Sequence, residues 1–303
     1  MKSKQSNKSF VGYFLLLLTA LIWGFAFSAQ KEGTKYLGAF GFNAARNAIG
    51  AVFVFVIYNL FFKNQTKNEL KKDNTLKAGI YCGIALFLGS TFQQIGIETT
   101  STGNSGFITS LYIVIVPFLG MFLGIKPGIK SYISVVVAVI GLYFITINGK
   151  AGFTVGDFWA LAGAFAFSSQ IVLVDRFITS VNPIKLSIIQ MALASILSFF
   201  AMFIFEANSI SDFYACLYPL LYVGILSSGV AFTLQIVAQR FTKPTPASLV
   251  MSLESVFSLI GGFILLNERS SLSELIGCLL VFLAIILVII PNKKIKLNKR
   301  ENI

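Results

Sequence analysis

The sequence predicts an all-α polytopic membrane protein with ten transmembrane helices, arranged as two inverted five-helix repeats. Three observations predict this fold: an apolar composition, a succession of uncharged windows and an internal repeat. Of the 303 residues, 56% are hydrophobic and only 12% are charged, and the mean hydropathy is +0.81. Because so few polar side chains cannot cover a soluble globule, lipid is expected to be the main solvent.

Ten apolar windows are long enough to cross the hydrocarbon layer, which requires about 20 residues of helix. A β-barrel is not expected, because its strands alternate apolar and polar residues and runs such as Leu279–Ile290 do not. The windows predict helices one to ten at Phe10–Ala29, Phe40–Phe62, Ala78–Gly96, Thr102–Gly124, Ser131–Ile147, Phe158–Val174, Leu186–Phe205, Phe213–Ala238, Pro246–Leu266 and Leu275–Ile290.

Lysine and arginine lie mainly on one side of the predicted membrane. If the amino terminus is inside, that side carries 19 of the 24 basic residues, the other side carries 4, and Arg46 lies within a helix. The positive-inside rule then predicts a multi-pass plasma-membrane protein with both termini in the cytoplasm. This asymmetry accounts for the net charge of +12, so no nucleic-acid partner is expected.

An internal repeat relates the two halves of the chain. Because five is an odd number of helices, the second half must start on the opposite side of the membrane, so the repeats are inverted. The predicted units are residues 1–149 and residues 150–303, the second with a basic cytoplasmic tail. Three pairs of segments match, at offsets of 140, 141 and 142: Phe25–Gln30 with Phe165–Gln170, Tyr81–Ile84 with Tyr222–Ile225, and Ser110–Leu111 with Ser252–Leu253.

Two charged residues lie well inside predicted helices, Arg46 and Glu254. Ionisable groups at membrane depth cost about 2.5 to 3.5 kcal/mol on insertion scales, so they usually face a bundle interior or a wet cavity. Glu254 either takes up a proton or meets a cationic substrate, or it is a structural ion pair or hydrogen-bonded group, and the residues favour neither interpretation. Arg46 is expected to snorkel toward the interface rather than contact a substrate.

A cavity between the halves is expected near mid-bilayer, where rocking of the halves would expose it to either side. Trp23 and Phe27 lie one turn apart on the first helix, so they point the same way. Four glutamines occupy repeat-matched positions, and bridging between helices is the expected role of at least two of them. The candidate substrate-binding residues are Trp23, Phe27, Gln94, Tyr112, Phe167, Gln235 and Glu254, of which Glu254 is also the candidate for ion coupling.

The function favoured by these patterns is secondary transport by alternating access, with an integral membrane enzyme or a non-transporting scaffold as alternatives. The chain has no histidine, no paired aspartates to hold Mg²⁺ beside a diphosphate, and no glycine-rich phosphate loop. Neither a cofactor nor a metal site is therefore expected. The three cysteines, Cys82, Cys216 and Cys278, lack the spacing of a metal site or disulfide framework. The expected partners are a small-molecule substrate, the lipid bilayer and protons.

Over nearly its whole length the chain resembles the EamA group of the drug/metabolite transporter superfamily. The resemblance implies a secondary carrier, often an exporter of amino acids or other metabolites, whose cavity is lined by helices 1, 3, 4, 6, 8 and 9. The chain departs from the group at Lys126, where glutamate is common, and at Ser255, where proline is common, which predicts that helix nine lacks a kink. The matching residues are Trp23, Gly24, Phe27, Pro117, Leu253, Glu254, Leu266, Asn267, Glu268, Arg269 and Gly277.

Overall fold

The fold is a bundle of long apolar helices. The computed structural model describes residues 2–63, 73–122, 124, 127–146, 154–266 and 271–290, and all regular structure within these ranges is helical. Eight of the described helices are long and apolar enough to cross a membrane, and two further apolar helices are shorter. The predicted all-α polytopic class is thus confirmed. The helices are α1 (Lys2–Gly33), α2 (Ala39–Phe62), α3 (Thr75–Thr99), α4 (Thr102–Phe122), α5 (Ile129–Thr146), α6 (Val155–Phe177), α7 (Pro183–Phe205), α8 (Leu217–Ala238), α9 (Pro244–Leu266) and α10 (Leu272–Ile289).

Helix boundaries follow local chemistry that the hydropathy windows do not capture. Helix α4 ends at Phe122 rather than at Gly124, which has a φ of +79°, a left-handed conformation that glycine adopts freely beyond helix ends. A separate short helix, Ile210–Ala215, precedes α8, so the predicted start of the eighth helix at Phe213 is wrong. The predicted helix end at Ile147, the departure at Lys126 and the motif residues 267–269 lie outside the described residues.

Helices α4 and α9 are each interrupted by a tight turn near their middle. In α4 the turn is at Leu111, with φ −60° and ψ −10°, and in α9 it is at Ser252–Leu253, where Ser252 has φ −62° and ψ −11°. The prediction that α9 lacks a kink is therefore wrong. Serine hydroxyls at Ser248, Ser252, Ser255 and Ser258 each donate to the carbonyl oxygen three residues earlier, and such back-bonding bends helices without proline.

Helices α1–α5 pack extensively against helices α6–α10. Helix α3 packs on α6 and α7, and α8 packs on α1 and α2; α5 pairs with α10, and α2 with α7. Glycines allow these approaches: a Cβ on Gly83 would lie 3.1 Å from the Gln190 carbonyl oxygen, and one on Gly224 would lie 3.2 Å from that of Arg46. Small residues at such crossings let helix backbones pack closely in lipid.

Candidate functional site

A small cavity of about 30 Å³ lies between the helices of the bundle. Its wall combines aromatic rings with amides, hydroxyls and two ionisable groups, a mixture typical of small-molecule sites. Helices α1, α3, α4, α6, α8 and α9 contribute to it as expected, and α2 contributes as well. The lining residues are Trp23, Phe27, Gln30, Arg46, Gln93, Thr109, Tyr112, Phe167, Gln170, Ile171, Ser227, Phe232, Gln235 and Glu254.

The interruptions of α4 and α9 place Tyr112 and Glu254 in the cavity wall. Each is the first residue of the helical segment that follows its turn, Tyr112–Phe122 in α4 and Glu254–Leu266 in α9. Discontinuous helices of this kind form the binding sites of many secondary transporters.

The carboxyl group of Glu254 is enclosed, with 3% of the residue exposed. The Ser110 hydroxyl of α4 donates to Glu254 Oε1 at 3.5 Å, and the Tyr112 side chain lies beside the carboxyl group. Within the described part of the chain, the one ion pair is the exposed Lys35–Glu32 pair. Glu254 is therefore bonded to a hydroxyl group rather than to a basic partner, and the ion-pair alternative raised by the sequence is not realised.

Trp23 connects the aromatic wall to an unusual segment of α8. Residues Tyr222–Ala231 form a π-helix, a rare and wider helical form that is frequently found at functional sites. The indole Nε1 of Trp23 donates to the Ser227 carbonyl oxygen at 3.2 Å, and its ring lies 4.9 Å from that of Phe232. The indole is thereby fixed at both its polar and its apolar edge.

A first polar cluster, formed by Gln30, Arg46 and Gln94, lies at the junction of α1, α2 and α3. Arg46 is 3% exposed and its Nη1 donates to Gln30 Oε1 at 2.8 Å. The prediction that Arg46 snorkels to the interface is therefore wrong, because the guanidinium points inward and lines the cavity. Gln94 is fully buried and donates to the Gln30 carbonyl oxygen at 3.2 Å, a bridge between helices.

A second polar cluster joins α6, α7 and α8 through amides alone. Gln170 Nε2 donates to Gln190 Oε1 at 3.1 Å, while Gln235 Nε2 donates to Gln170 Oε1 at 2.9 Å and to Gln239 Oε1 at 3.2 Å. Gln239 in turn donates to the Ile171 carbonyl oxygen. The cavity is thus bordered by two polar clusters of related design, one with a cation and one without.

Six of the seven predicted site residues line the cavity: Trp23, Phe27, Tyr112, Phe167, Gln235 and Glu254. The seventh, Gln94, does not; its neighbour Gln93 lines the wall instead and donates to Thr109 Oγ1 at 3.2 Å. Arg46 was missed as a lining residue, although its depth in an apolar helix was the signal that could have found it. Contact with a substrate stays a prediction for all of these residues.

No group of three or more Cys, Asp or Glu side chains within the described ranges is placed to hold a metal ion. The buried Asp157 has a structural role, since it accepts from the Thr154 backbone as a helix cap and from Thr100 Oγ1 at 2.7 Å. The cavity therefore offers hydrogen bonds, aromatic surface and two ionisable groups, which suit recognition of a small polar molecule.

Comparison with known proteins finds similarities that extend over nearly the whole chain. A sequence model of the EamA-like transporter family matches residues 10–147 and 154–290. An uncharacterized transporter of Archaeoglobus fulgidus is 34% identical over 90% of this chain and 84% of its own. The uncharacterized transporter YoaV of Bacillus subtilis is 23% identical over 88% of this chain and 92% of its own. One crystal structure superposes with a TM-score of 0.74 and 16% identity, covering 93% of this chain and 96% of its own, which supports the fold. The chain belongs to the EamA-like transporter family.

Proposed function

We propose that this chain is a secondary carrier that exports a small metabolite, an amino acid or a related compound, across the plasma membrane by alternating access. The observation that carries the proposal is the central cavity, which combines aromatic walls with an enclosed carboxyl group at the interruption of α9. A site built at broken helices near mid-bilayer is the usual arrangement in secondary transporters. The names of the curated relatives agree with a transport function.

Two inverted five-helix repeats, residues 1–149 and 150–303, are part of the same proposal. The exchanged packing of α3 and α8 supports it, because each of these helices packs on the first two helices of the other half. The matching turns of α4 and α9 support it further. In this arrangement ten helices cross the membrane with both termini in the cytoplasm, and rocking of one half against the other moves the cavity between the two sides.

Glu254 is proposed as the coupling residue, with protons as the coupled ion. Carboxyl groups within transmembrane helices mark proton relays in many transporters. Glu254 forms no salt bridge with a basic residue among the described residues, so its carboxyl group is available to exchange a proton. In Glu254→Gln, the side chain would keep the shape of glutamate and a hydrogen bond with Ser110 but would lose the exchangeable proton.

The proposal is tested by flux measurements on purified protein reconstituted into liposomes. The wild-type protein is expected to move labelled amino acids or related metabolites, and a pH gradient is expected to drive that flux. Glu254→Gln should insert and fold normally but lose most of the gradient-driven flux. The matched control is Glu98→Gln, which neutralises an exposed acid outside the cavity and should transport like the wild type.

Two results would count against this function. Absence of flux for amino acids, quaternary amines and nucleoside-like metabolites, with or without a pH gradient, would contradict the carrier itself. Unchanged flux with an unchanged pH profile in Glu254→Gln would remove Glu254 from the coupling mechanism while leaving the carrier function in place.

A further inference from the structure

Arg46 is a buried cation that forms no salt bridge with any acidic side chain among the described residues, although Glu254 lines the same cavity. The residue is 3% exposed, and the exposed Lys35–Glu32 pair is the one salt bridge among the residues that the structure describes. Removing a guanidinium from water costs several kcal/mol unless other interactions offset it. The neutral amide oxygen of Gln30, 2.8 Å from Nη1, supplies one hydrogen bond but no counter-charge.

The guanidinium also retains unused hydrogen-bonding capacity. It has five N–H donors in a planar fork, and its buried Nε has no hydrogen-bond partner. Gln30 fixes the group from one side, and the Phe42 ring, with its centroid 6.0 Å from Cζ, lies nearby. The fork is thus held in place at the cavity wall, where it can meet a molecule inside the cavity.

The second half of the chain demonstrates that the fold does not require a cation at this position. Gln190 is the counterpart of Arg46, because Gly83 approaches the Gln190 backbone as Gly224 approaches that of Arg46. Gln190 Oε1 accepts a hydrogen bond from Gln170 Nε2, and this bond joins the same pair of positions as the one that Arg46 Nη1 donates to Gln30 Oε1. A neutral amide therefore makes the equivalent helix-to-helix bond, and the charge of Arg46 is left to be explained by what it binds.

We propose that Arg46 is the anion-binding residue of the cavity and that the transported molecule presents a carboxylate to it. This inference rests on the proposed carrier function and names the chemical class of its substrate. A planar carboxylate matches the geometry of the guanidinium fork. One cation balances one negative charge, whereas a phosphate group carries about −1.5 to −2 at neutral pH, so the single Arg46 favours a carboxylate over a phosphate.

Binding to the purified full-length protein in detergent tests the assignment by thermal shift and calorimetry. The probes are the common amino acids, their carboxamides, simple monocarboxylates and inorganic phosphate. At least one carboxylate is expected to bind the wild type more tightly than its amide. Arg46→Gln, which copies the amide of the second cluster, should weaken carboxylate binding by about thirtyfold or more and leave any amide binding almost unchanged.

Two further variants separate charge from structure. Arg46→Lys keeps the charge without the fork and should bind carboxylates with intermediate affinity. Arg240→Gln removes a cation from the exposed end of α8, where Arg240 donates to the Val181 carbonyl oxygen, and should bind like the wild type. If Arg46→Gln does not fold, Arg46→Lys and the comparison of acids with amides on the wild type still decide the question.

The assignment is overturned if no carboxylate binds, if amides or phosphate bind the wild type as tightly as acids, or if Arg46→Gln weakens acids and amides equally. Amides that bind and are transported would leave the carrier function standing while removing the carboxylate subsite. A protein that neither binds nor moves any metabolite in the liposome assay would fail both proposals.

Discussion

Gly24→Ala is expected to force α1 and α9 apart beside the cavity. A Cβ at position 24 would clash with the Phe257 side chain and would lie 2.8 Å from the Phe257 carbonyl carbon and 2.9 Å from the Glu254 carbonyl oxygen. The last two are backbone atoms, so no rotation of a side chain can relieve the contact. Restoring 2.8 Å to the 3.4 Å of ordinary van der Waals contact requires at least about 0.6 Å of backbone movement in α9, and the closer contact with Phe257 Cβ, which no side-chain rotation can move, requires more.

Gly261→Ala is the matched control for this change. Gly261 lies in the same interface between α1 and α9, but its Cβ would meet Phe25 and Ser28 at 3.4 to 3.6 Å, which needs no movement. Both substitutions gain about 1 kcal/mol of helix propensity, so this gain cancels in the comparison. Overpacking typically costs about 1 to 3 kcal/mol, and Gly24→Ala should be less stable than Gly261→Ala by that amount.

Thermal unfolding of the purified variants measures the stability difference, and flux in liposomes measures the consequence for transport. Gly24→Ala should unfold at a lower temperature than Gly261→Ala and transport less, because the displaced backbone carries Glu254. Equal unfolding temperatures and equal flux in the two variants would refute the argument that this close approach positions the carboxyl group.

Two further substitutions probe hydrogen bonds that position the cavity. Trp23→Phe should retain the packing on neighbouring rings but lose the bond to the Ser227 carbonyl oxygen, lowering the free energy of unfolding by about 1 kcal/mol in a thermal melt; unchanged stability would contradict a role for this bond. Asp157→Ala removes a helix cap together with the bond to Thr100, and we expect a loss of about 2 kcal/mol. Asp212→Ala removes a similar but exposed cap, so an equal loss in both variants would assign no stabilisation to the Thr100 bond.

The helical class and the approximate helix positions could be predicted from the sequence because lipid leaves the backbone few choices. A chain in hydrocarbon must satisfy its N–H and C=O groups within each segment, so long uncharged windows are diagnostic of helices. The same physics identified Glu254, since a carboxyl group in a helix of this kind is too costly to face lipid. These predictions need only local composition and depth.

The orientation of Arg46 could not be predicted in this way because it depends on neighbours that are distant in sequence. Its distance from the helix end made snorkelling reasonable, but the side chain is directed inward by Gln30 of α1. Gly224 of α8 also allows close packing on the Arg46 backbone. The hydropathy of α2 contains no information about either contact.

Gln93 lines the cavity instead of the predicted Gln94, and this difference also depends on structure outside the local sequence. The sequence repeat aligns Gln94 with Gln235, and a regular helix would turn both to the same relative face. Helix α8, however, contains the π-helix Tyr222–Ala231 ahead of Gln235, whereas α3 is a regular α-helix throughout Thr75–Thr99. Each residue of a π-helix turns the chain through a smaller angle than a residue of an α-helix does. Beyond the π-helix, the residues of α8 that face the cavity are therefore shifted by about one position relative to those of α3.

The differences between the halves are concentrated at the cavity, and this location argues that they determine substrate choice. Glycine-mediated packing is matched between the two parts of the chain, as Gly83 and Gly224 demonstrate. A cavity that reproduced this symmetry would present the same chemistry in both parts and could not orient an asymmetric molecule. Arg46, where the second part of the chain has the amide of Gln190, and Glu254, where the first part has Tyr112, break this symmetry. Under the proposed carrier function, a molecule with a distinct anionic end then has one favourable orientation.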